Sequence, residues 1–183
     1  GAKDMVEDGL LETPHVDAAL MIHVMTGVPI PNGCMMIPAG GTGSASSDEF
    51  HITVRGKGGH GAMPNLSVDP INAMAHIHLA LQEINARELA PGEYLVITPG
   101  TFHAGHASNV IPDTAEMTGT IRTGDTKVAE FARQRMQEIS QAVAQTFRAQ
   151  AEVEYTSSCP PMIADAAMSD AARRYMNELM DDV

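Results

Sequence analysis

The order in which strand and helix patterns follow one another constrains the fold of this chain more than any other feature. Between residues 48 and 157 the hydrophobic periodicity reads strand, helix, strand, strand, helix, strand. We expect strands at 50–56, 95–98, 114–123 and 152–155, and helices at about 70–87 and 127–148. This order predicts an α+β, ferredoxin-like βαββαβ sandwich, in which two helices cover one face of a four-stranded antiparallel sheet. Its edge strands stay open to pairing, which favours a homodimer.

The residues outside this module read as parts of one other domain. We expect a short helix at 1–12, a buried strand at 16–24, a second strand at 34–37, and a helix at 168–182. Residues 38–47 have the composition of a linker, so a domain boundary is expected there.

Charge and composition exclude several classes of protein. The chain of 183 residues has 11 Lys and Arg against 23 Asp and Glu, a formal net charge of −12. Nucleic acids and anionic membranes attract basic surfaces, so neither is expected as a partner. No apolar run approaches about 18 residues, and the start does not resemble a signal peptide. Cys34 and Cys159 are too few for a disulfide framework, so a cytoplasmic protein is expected.

The candidate site is the glycine-rich stretch at 56–64 (GKGGHGAMP), between the first predicted strand and the first predicted helix. Asp69 and Pro70 have the chemistry of a helix start just after it. His60 stands among four glycines, which allow unusual backbone angles and close approach to the main chain. A site histidine would be held in this way. A glycine-rich connection whose histidine merely faces water fits the spacing equally well.

Other histidines allow metal or structural roles. His23 lies near the end of the run at 16–24, where it is either a satisfied core histidine or a metal ligand at a strand end. His103 and His106 lie together in a predicted loop and could share a metal. His76 and His78 are two apart on a predicted helix and face different directions, so we place both at the surface or core edge.

Known catalytic motifs are absent from the sequence. It has no His-Glu-x-x-His, no Gly-x-Ser-x-Gly, and no Walker or Rossmann fingerprint. The remaining site candidates are donors: His60, Asn109 and Arg122. These residue types polarise carbonyl groups and hold carboxylates.

Several of these motifs together resemble one enzyme family. The segments at 46–50 (SSDEF), 56–64, 69–70, 109–113 (NVIPD) and 119–123 (GTIRT) are similar in order and spacing to the dimerisation (lid) domain of N-acyl-amino-acid amidohydrolases. These enzymes form the hippurate and auxin-conjugate hydrolase branch of the dinuclear metallo-aminoacylase and carboxypeptidase family. Residues 1–9 and 22–24 match as well, so the resemblance covers essentially the whole chain.

The resemblance implies a division into parts of domains and a function. Residues 1–46 would be a fragment of the catalytic domain with a linker, 47–157 the lid domain, and 158–183 a returning catalytic fragment. The implied reaction is hydrolysis of an N-acyl amino acid to a carboxylic acid and an amino acid. It uses two divalent metal ions, Zn, Mn or Co, in a cytoplasmic homodimer.

The resemblance also implies residue roles. His23 would be a metal ligand, and His60 would polarise the substrate carbonyl in the partner subunit's active site. Asn109 would be a second donor to that substrate, and Arg122 would pair with the substrate carboxylate. The family's His-x-Cys-Gly-His-Asp motif, Glu-Glu pair and last histidine ligand are not in this sequence. We therefore expect an inactive fragment whose missing motifs lie outside it. The alternatives are a dimerisation module without catalysis and a dipeptidase of the same fold.

Overall fold

The computed structural model describes residues 2–179, and the chain divides between Met35 and Met36 into two compact units. The first unit contains helix α1 (Ala2–Glu7), within the predicted segment 1–12. The strands predicted at 16–24 and 34–37 are wrong, because neither segment has regular structure. A strand requires neighbours for its N–H and C=O groups, and the described part of this unit pairs no strand with residues 16–24. Their apolar side chains are instead exposed, by 68% at Ile22 and 82% at Val24.

The second unit contains the predicted sandwich, and the fold prediction is confirmed. Four strands hydrogen-bond in the order β4-β6-β2-β7, with every pairing antiparallel. They are β2 (Ser47–Arg55), β4 (Leu95–Ala104), β6 (Thr114–Thr123) and β7 (Gln150–Cys159). Helices α2 (Pro70–Ala80) and α3 (Thr126–Thr146) cover one face.

Smaller strand pairs flank this sheet. Strand β3 (Gly59–His60) pairs with β5 (Val110–Ile111), and β1 (Gly41–Ser44) pairs with β8 (Met162–Ala164). Strand β1 therefore lies inside the segment predicted to be a linker. Helix α4 (Ala166–Met176) follows β8 and overlaps the helix predicted at 168–182, whose last residues lie outside the described part.

The alternation of apolar and polar residues along the strands determines where the hydrophobic core lies. Phe50, Ile52 and Val54 of β2 are buried against the helices, as the pattern predicted. Met117 and Ile121 of β6 join them. The cluster also contains buried residues of both helices, namely Ala73, Met74, Ile77, Val128, Ala132, Met136 and Ala144. The opposite face of the sheet carries the polar residues that alternate with the apolar ones in β2, β6 and β7.

Three predicted elements differ clearly in length from those observed, namely β4, β7 and α2; β7 covers Gln150–Cys159 and not only 152–155. Strand β4 continues to Ala104, through a segment predicted as a glycine-rich loop, because residues 101–104 pair with 115–118 of β6. A bulge between Pro99 and Thr101 absorbs the proline and glycine. Helix α2 ends at Ala80 and is followed by a π-helical turn at Ile84–Glu88. Its start is as predicted, since the Asp69 carboxylate accepts the N–H groups of Ile71 and Asn72.

A pair of oppositely charged residues lies between the sheet and helix α3. Asp48 on β2 is 1% exposed, and its Oδ1 accepts a hydrogen bond from Arg133 Nη1 on α3 at 2.8 Å. The Tyr155 hydroxyl donates to the Arg133 carbonyl oxygen at 2.8 Å. Burial raises the pKa of that hydroxyl above its ordinary value. These contacts join β2, β7 and α3.

Candidate functional site

The glycine loop lies along the segment that precedes β6. His60 pairs with Val110 across the β3–β5 ladder. The N–H of Gly56 donates to the Asp113 carbonyl oxygen, and the N–H of Gly61 donates to the Asn109 carbonyl oxygen, both at 2.8 Å. The structure therefore brings together two residues that sequence analysis selected separately, since Asn109 immediately precedes β5, the strand that pairs with the His60 strand.

The loop glycines are explained by close approach and not by unusual backbone angles. None of the glycines between residues 56 and 61 has a positive φ. A Cβ at Gly58 would lie 2.8 Å from the Ile111 carbonyl oxygen, and one at Gly61 would lie 3.0 Å from the Asn109 carbonyl oxygen. Any side chain at these positions would push the His60 loop away from the Asn109 segment.

The His60 ring is exposed and held at one nitrogen. Its Nδ1 accepts a hydrogen bond from the main-chain N–H of Ala62 at 3.1 Å. A neutral imidazole whose Nδ1 is an acceptor carries its proton on Nε2. This geometry leaves Nε2–H as a hydrogen-bond donor, suited to a carbonyl oxygen or an oxyanion.

Arg122 lies at the other end of β6. Strand β6 begins at Thr114, which pairs with Arg55, the residue immediately before the glycine loop. Arg122 lies eight positions beyond Thr114 on the strand, which places the two residues about 26 Å apart. Arg122 pairs with Val96 and donates from Nη1 to the Ile121 carbonyl oxygen at 3.3 Å. Arg122 therefore lies far along β6 from the end that adjoins the His60 loop.

The described residues do not build a metal centre by themselves. Within residues 2–179, no group of three or more His, Cys, Asp or Glu side chains is placed to hold a metal ion. His23 belongs to the first unit, where its ring is exposed and Nδ1 lies 2.7 Å from the Val24 carbonyl oxygen. His103 faces Glu116 across β4 and β6 and lines an open cavity with His106.

Two further site features escaped the sequence analysis. The Asp113 Oδ1 accepts the N–H of Gly58 at 2.8 Å, and the Ala62 N–H fixes the His60 ring. Asp113 was noted only as part of a family motif. Its contact with Gly58 spans 55 positions in the sequence, so no local pattern indicates it.

A four-stranded antiparallel sheet covered on one face by two helices defines an α+β sandwich, and the described residues place His60 and Asn109 near one end of its strand β6. Residues 42–148 match the family described as "Peptidase dimerisation domain" (M20_dimer). That match covers more than half of the chain, which therefore belongs to this family. The resemblance to this family drawn from the sequence is confirmed. No helix within residues 2–179 has the length and apolarity needed to cross a membrane.

The relatives are hydrolases. The hippurate hydrolase of Campylobacter jejuni is 32% identical over 182 residues, covering 100% of this chain and 47% of its own length. The N-acetyl-L-cysteine deacetylase of Bacillus subtilis is 31% identical, covering 99% and 43%. The Bacillus subtilis YXEP protein, described as a dinuclear metal binding peptidase from the M20 family, superposes with a TM-score of 0.71 at 28% identity, covering 98% of this chain and 43% of its own. The chain thus spans slightly less than half the length of these relatives.

Proposed function

We propose that this chain is the dimerisation (lid) part of a metal-dependent amidohydrolase that cleaves N-acyl amino acids into a carboxylic acid and an amino acid. The observation that carries the proposal is His60, presented by a close-packed glycine loop beside Asn109 with Nε2–H free to donate. The similarity to a hippurate hydrolase and an N-acetyl-L-cysteine deacetylase supports the substrate class.

The proposed roles follow the chemistry of the side chains. His60 Nε2–H donates to the oxygen of the scissile carbonyl and stabilises the negative charge that develops there. The Asn109 carboxamide is a second donor to the same substrate. Arg122 pairs with the substrate carboxylate, which suits its planar guanidinium. We also propose that the whole protein binds two divalent ions, Zn, Mn or Co, with His23 as one ligand. The domain limits 1–46, 47–157 and 158–183 belong to the same proposal.

The separation of His60 from Arg122 supports a homodimer in which each site uses both chains. A two-fold axis that pairs equivalent edge strands antiparallel brings one end of the first sheet to the opposite end of the second. The His60 and Asn109 end of one subunit then lies beside the Arg122 end of its partner. Each active site takes its carbonyl donors from one chain and its carboxylate partner from the other.

The charge of the two edge strands favours pairing through β4. Strand β4 has no charged residue between Leu95 and Ala104, and Val96 and Phe102 are exposed. Strand β7 carries Glu152 and Glu154, which would approach their own copies in an antiparallel β7 pair. We therefore propose β4 as the dimer edge.

The test is hydrolysis of N-acyl amino acids by the whole protein. Replacing His60 with Ala should lower kcat about 100- to 1,000-fold, the range for loss of one oxyanion donor. His78→Ala on α2 is the matched control and should leave kcat near the parent value. Full activity in His60→Ala would contradict the proposed role. Absence of hydrolysis in the unaltered whole protein would favour a dimerisation module without catalysis.

A peptidase is the second candidate function. The thermostable carboxypeptidase 2 of Saccharolobus solfataricus is 36% identical over 162 residues, covering 88% of this chain and 40% of its own length. Comparing kcat/KM for acyl amino acids and dipeptides decides between the two. A higher value for dipeptides would reverse the assignment.

A further inference from the structure

Asp113 contacts the His60 loop through both its main chain and its side chain. Its carbonyl oxygen accepts the N–H of Gly56, and its Oδ1 accepts the N–H of Gly58, each at 2.8 Å. These bonds fix the loop two and four residues before His60. A third bond, from Gly61 to the Asn109 carbonyl oxygen, fixes it one residue after.

The Asp113 carboxylate accepts the N–H of Gly58, which has no main-chain acceptor on the opposing strand. Gly61 donates to Asn109, and Gly59 lies opposite Ile111. Hydrogen-bonded and non-hydrogen-bonded positions alternate along an antiparallel ladder, so Gly58, which immediately precedes Gly59, lies where its N–H would point away from the main chain of the opposing strand. The Asp113 carboxylate supplies the acceptor that the ladder does not. A charged acceptor also makes a stronger bond than a neutral one.

The loop needs such a constraint because its own residues supply little. Glycines restrict the backbone less than any other residue, and they surround His60 on both sides. The contact that orients the ring, from the Ala62 N–H to Nδ1, depends on the path of this backbone. A shift of the loop by a fraction of the 3.1 Å bond length would break that contact and free the ring to rotate.

We propose that Asp113 is the positioning residue of His60: its carboxylate holds the glycine loop so that Ala62 binds Nδ1 and Nε2–H faces outward. The consequence for catalysis rests on the function proposed above. The positioning itself does not, because it concerns only contacts within this chain.

The first experiment measures the His60 ring directly. The ¹⁵N chemical shifts of the two ring nitrogens report which of them carries the proton. In the unaltered chain, Nδ1 should be unprotonated and Nε2 protonated. Asp113→Ala should give a mixture of tautomers, and Asp113→Asn should restore the parent state, since its carboxamide oxygen can accept the same N–H. Unchanged ring shifts in Asp113→Ala would overturn the proposal.

Asp125 provides the matched control. Its carboxylate also accepts main-chain N–H groups, from Lys127 at 2.6 Å and Val128 at 3.3 Å, but at the start of α3. Asp125→Ala should therefore leave the His60 ring unchanged. Should Asp113→Ala fail to fold, hydrogen exchange of the Gly58 amide in the unaltered chain gives an independent answer. Protection supports the bond to Asp113, and free exchange overturns it.

The second experiment measures turnover in the whole protein. Asp113→Ala should lower kcat about 100-fold, the effect of a small misplacement, while KM changes less than about threefold. Asp113→Asn should recover most of the lost kcat. A disturbed ring together with full kcat in both Asp113→Ala and His60→Ala would refute the proposed function and leave the positioning intact. An undisturbed ring would refute the positioning, whatever the activity.

Discussion

Two inactive variants should restore activity when they share a dimer, because His60 and Arg122 would serve different sites. In a dimer of His60→Ala with Arg122→Ala, one site combines an intact Arg122 with the partner's intact His60. The other site carries both substitutions. Random association makes half of all dimers mixed, so about a quarter of all sites should regain parent activity. We expect this recovery because Arg122 lies about 26 Å along β6 from Thr114, the residue at the end of the strand that adjoins the His60 loop.

The assay is co-expression of the two variants of the whole protein with different affinity tags, followed by kinetics on the purified mixed dimer. This species has one intact site of two, so it should show about half the parent kcat. His60→Ala with Asn109→Ala is the control. Both residues lie at the same end of the sheet, so every site of that mixed dimer keeps one lesion and should stay inactive. No activity in the first pair, or equal recovery in both, would refute the two-subunit site.

Three further predictions concern stability and assembly. Arg133→Met leaves the Asp48 carboxylate buried without its partner and should lower the free energy of unfolding by about 3–5 kcal/mol. Asp48→Asn should lower it by only about 1–2 kcal/mol, because the Arg133 side chain is 26% exposed and can be hydrated. Equal losses of unfolding free energy for the two variants in urea denaturation would contradict this expectation. Folding raises the pKa of Tyr155, so the stability that its protonated hydroxyl contributes is complete below about pH 10 and is lost as pH rises above it. Tyr155→Phe should therefore make the fall in stability at alkaline pH less steep. It should also lower the free energy of unfolding by about 1 kcal/mol at pH 7, because the hydrogen bond is lost. Thr98→Lys on β4 should reduce dimer formation in sedimentation experiments, whereas Ser157→Lys on β7 should not, and the reverse order would assign the other edge.

The parts of the fold that were predictable depend on local patterns. Strand β6 occupies the predicted residues 114–123, because every second side chain enters the core and the others remain on the open face. The start of α2 follows from Asp69 and Pro70, whose effects act within one turn. The order of these elements was enough to identify the sandwich.

The parts that were missed depend on partners distant in sequence. Apolar composition at 16–24 indicates a buried strand, but burial requires a neighbour that no local pattern specifies. The glycine-rich residues at the end of β4 indicate a loop, yet pairing with β6 holds them in a strand. Propensity is weak against such tertiary contacts.

The candidate site also has a part that the sequence predicted and a part that it could not predict. Motifs selected His60, Asn109 and Arg122, whose roles remain predictions. The sequence could not indicate that the first two are adjacent while the third is remote, because this depends on strand register. It also could not indicate the Asp113 contact with Gly58.

The proposed division of the site between two chains is argued from the topology of the sheet. Strands β2 and β6 are antiparallel neighbours, so the residue that follows β2 and the residue that precedes β6 must lie at the same end of the sheet. His60 follows β2 and Asn109 precedes β6, whereas Arg122 lies near the end of β6. In the proposed dimer, a second copy pairs with the first in the opposite strand direction and so brings all three types of residue to one small substrate. In the proposed enzyme, subunit association is therefore part of the active site and not merely a source of stability. Activity should fall upon dilution in step with the dimer, even while each subunit stays folded.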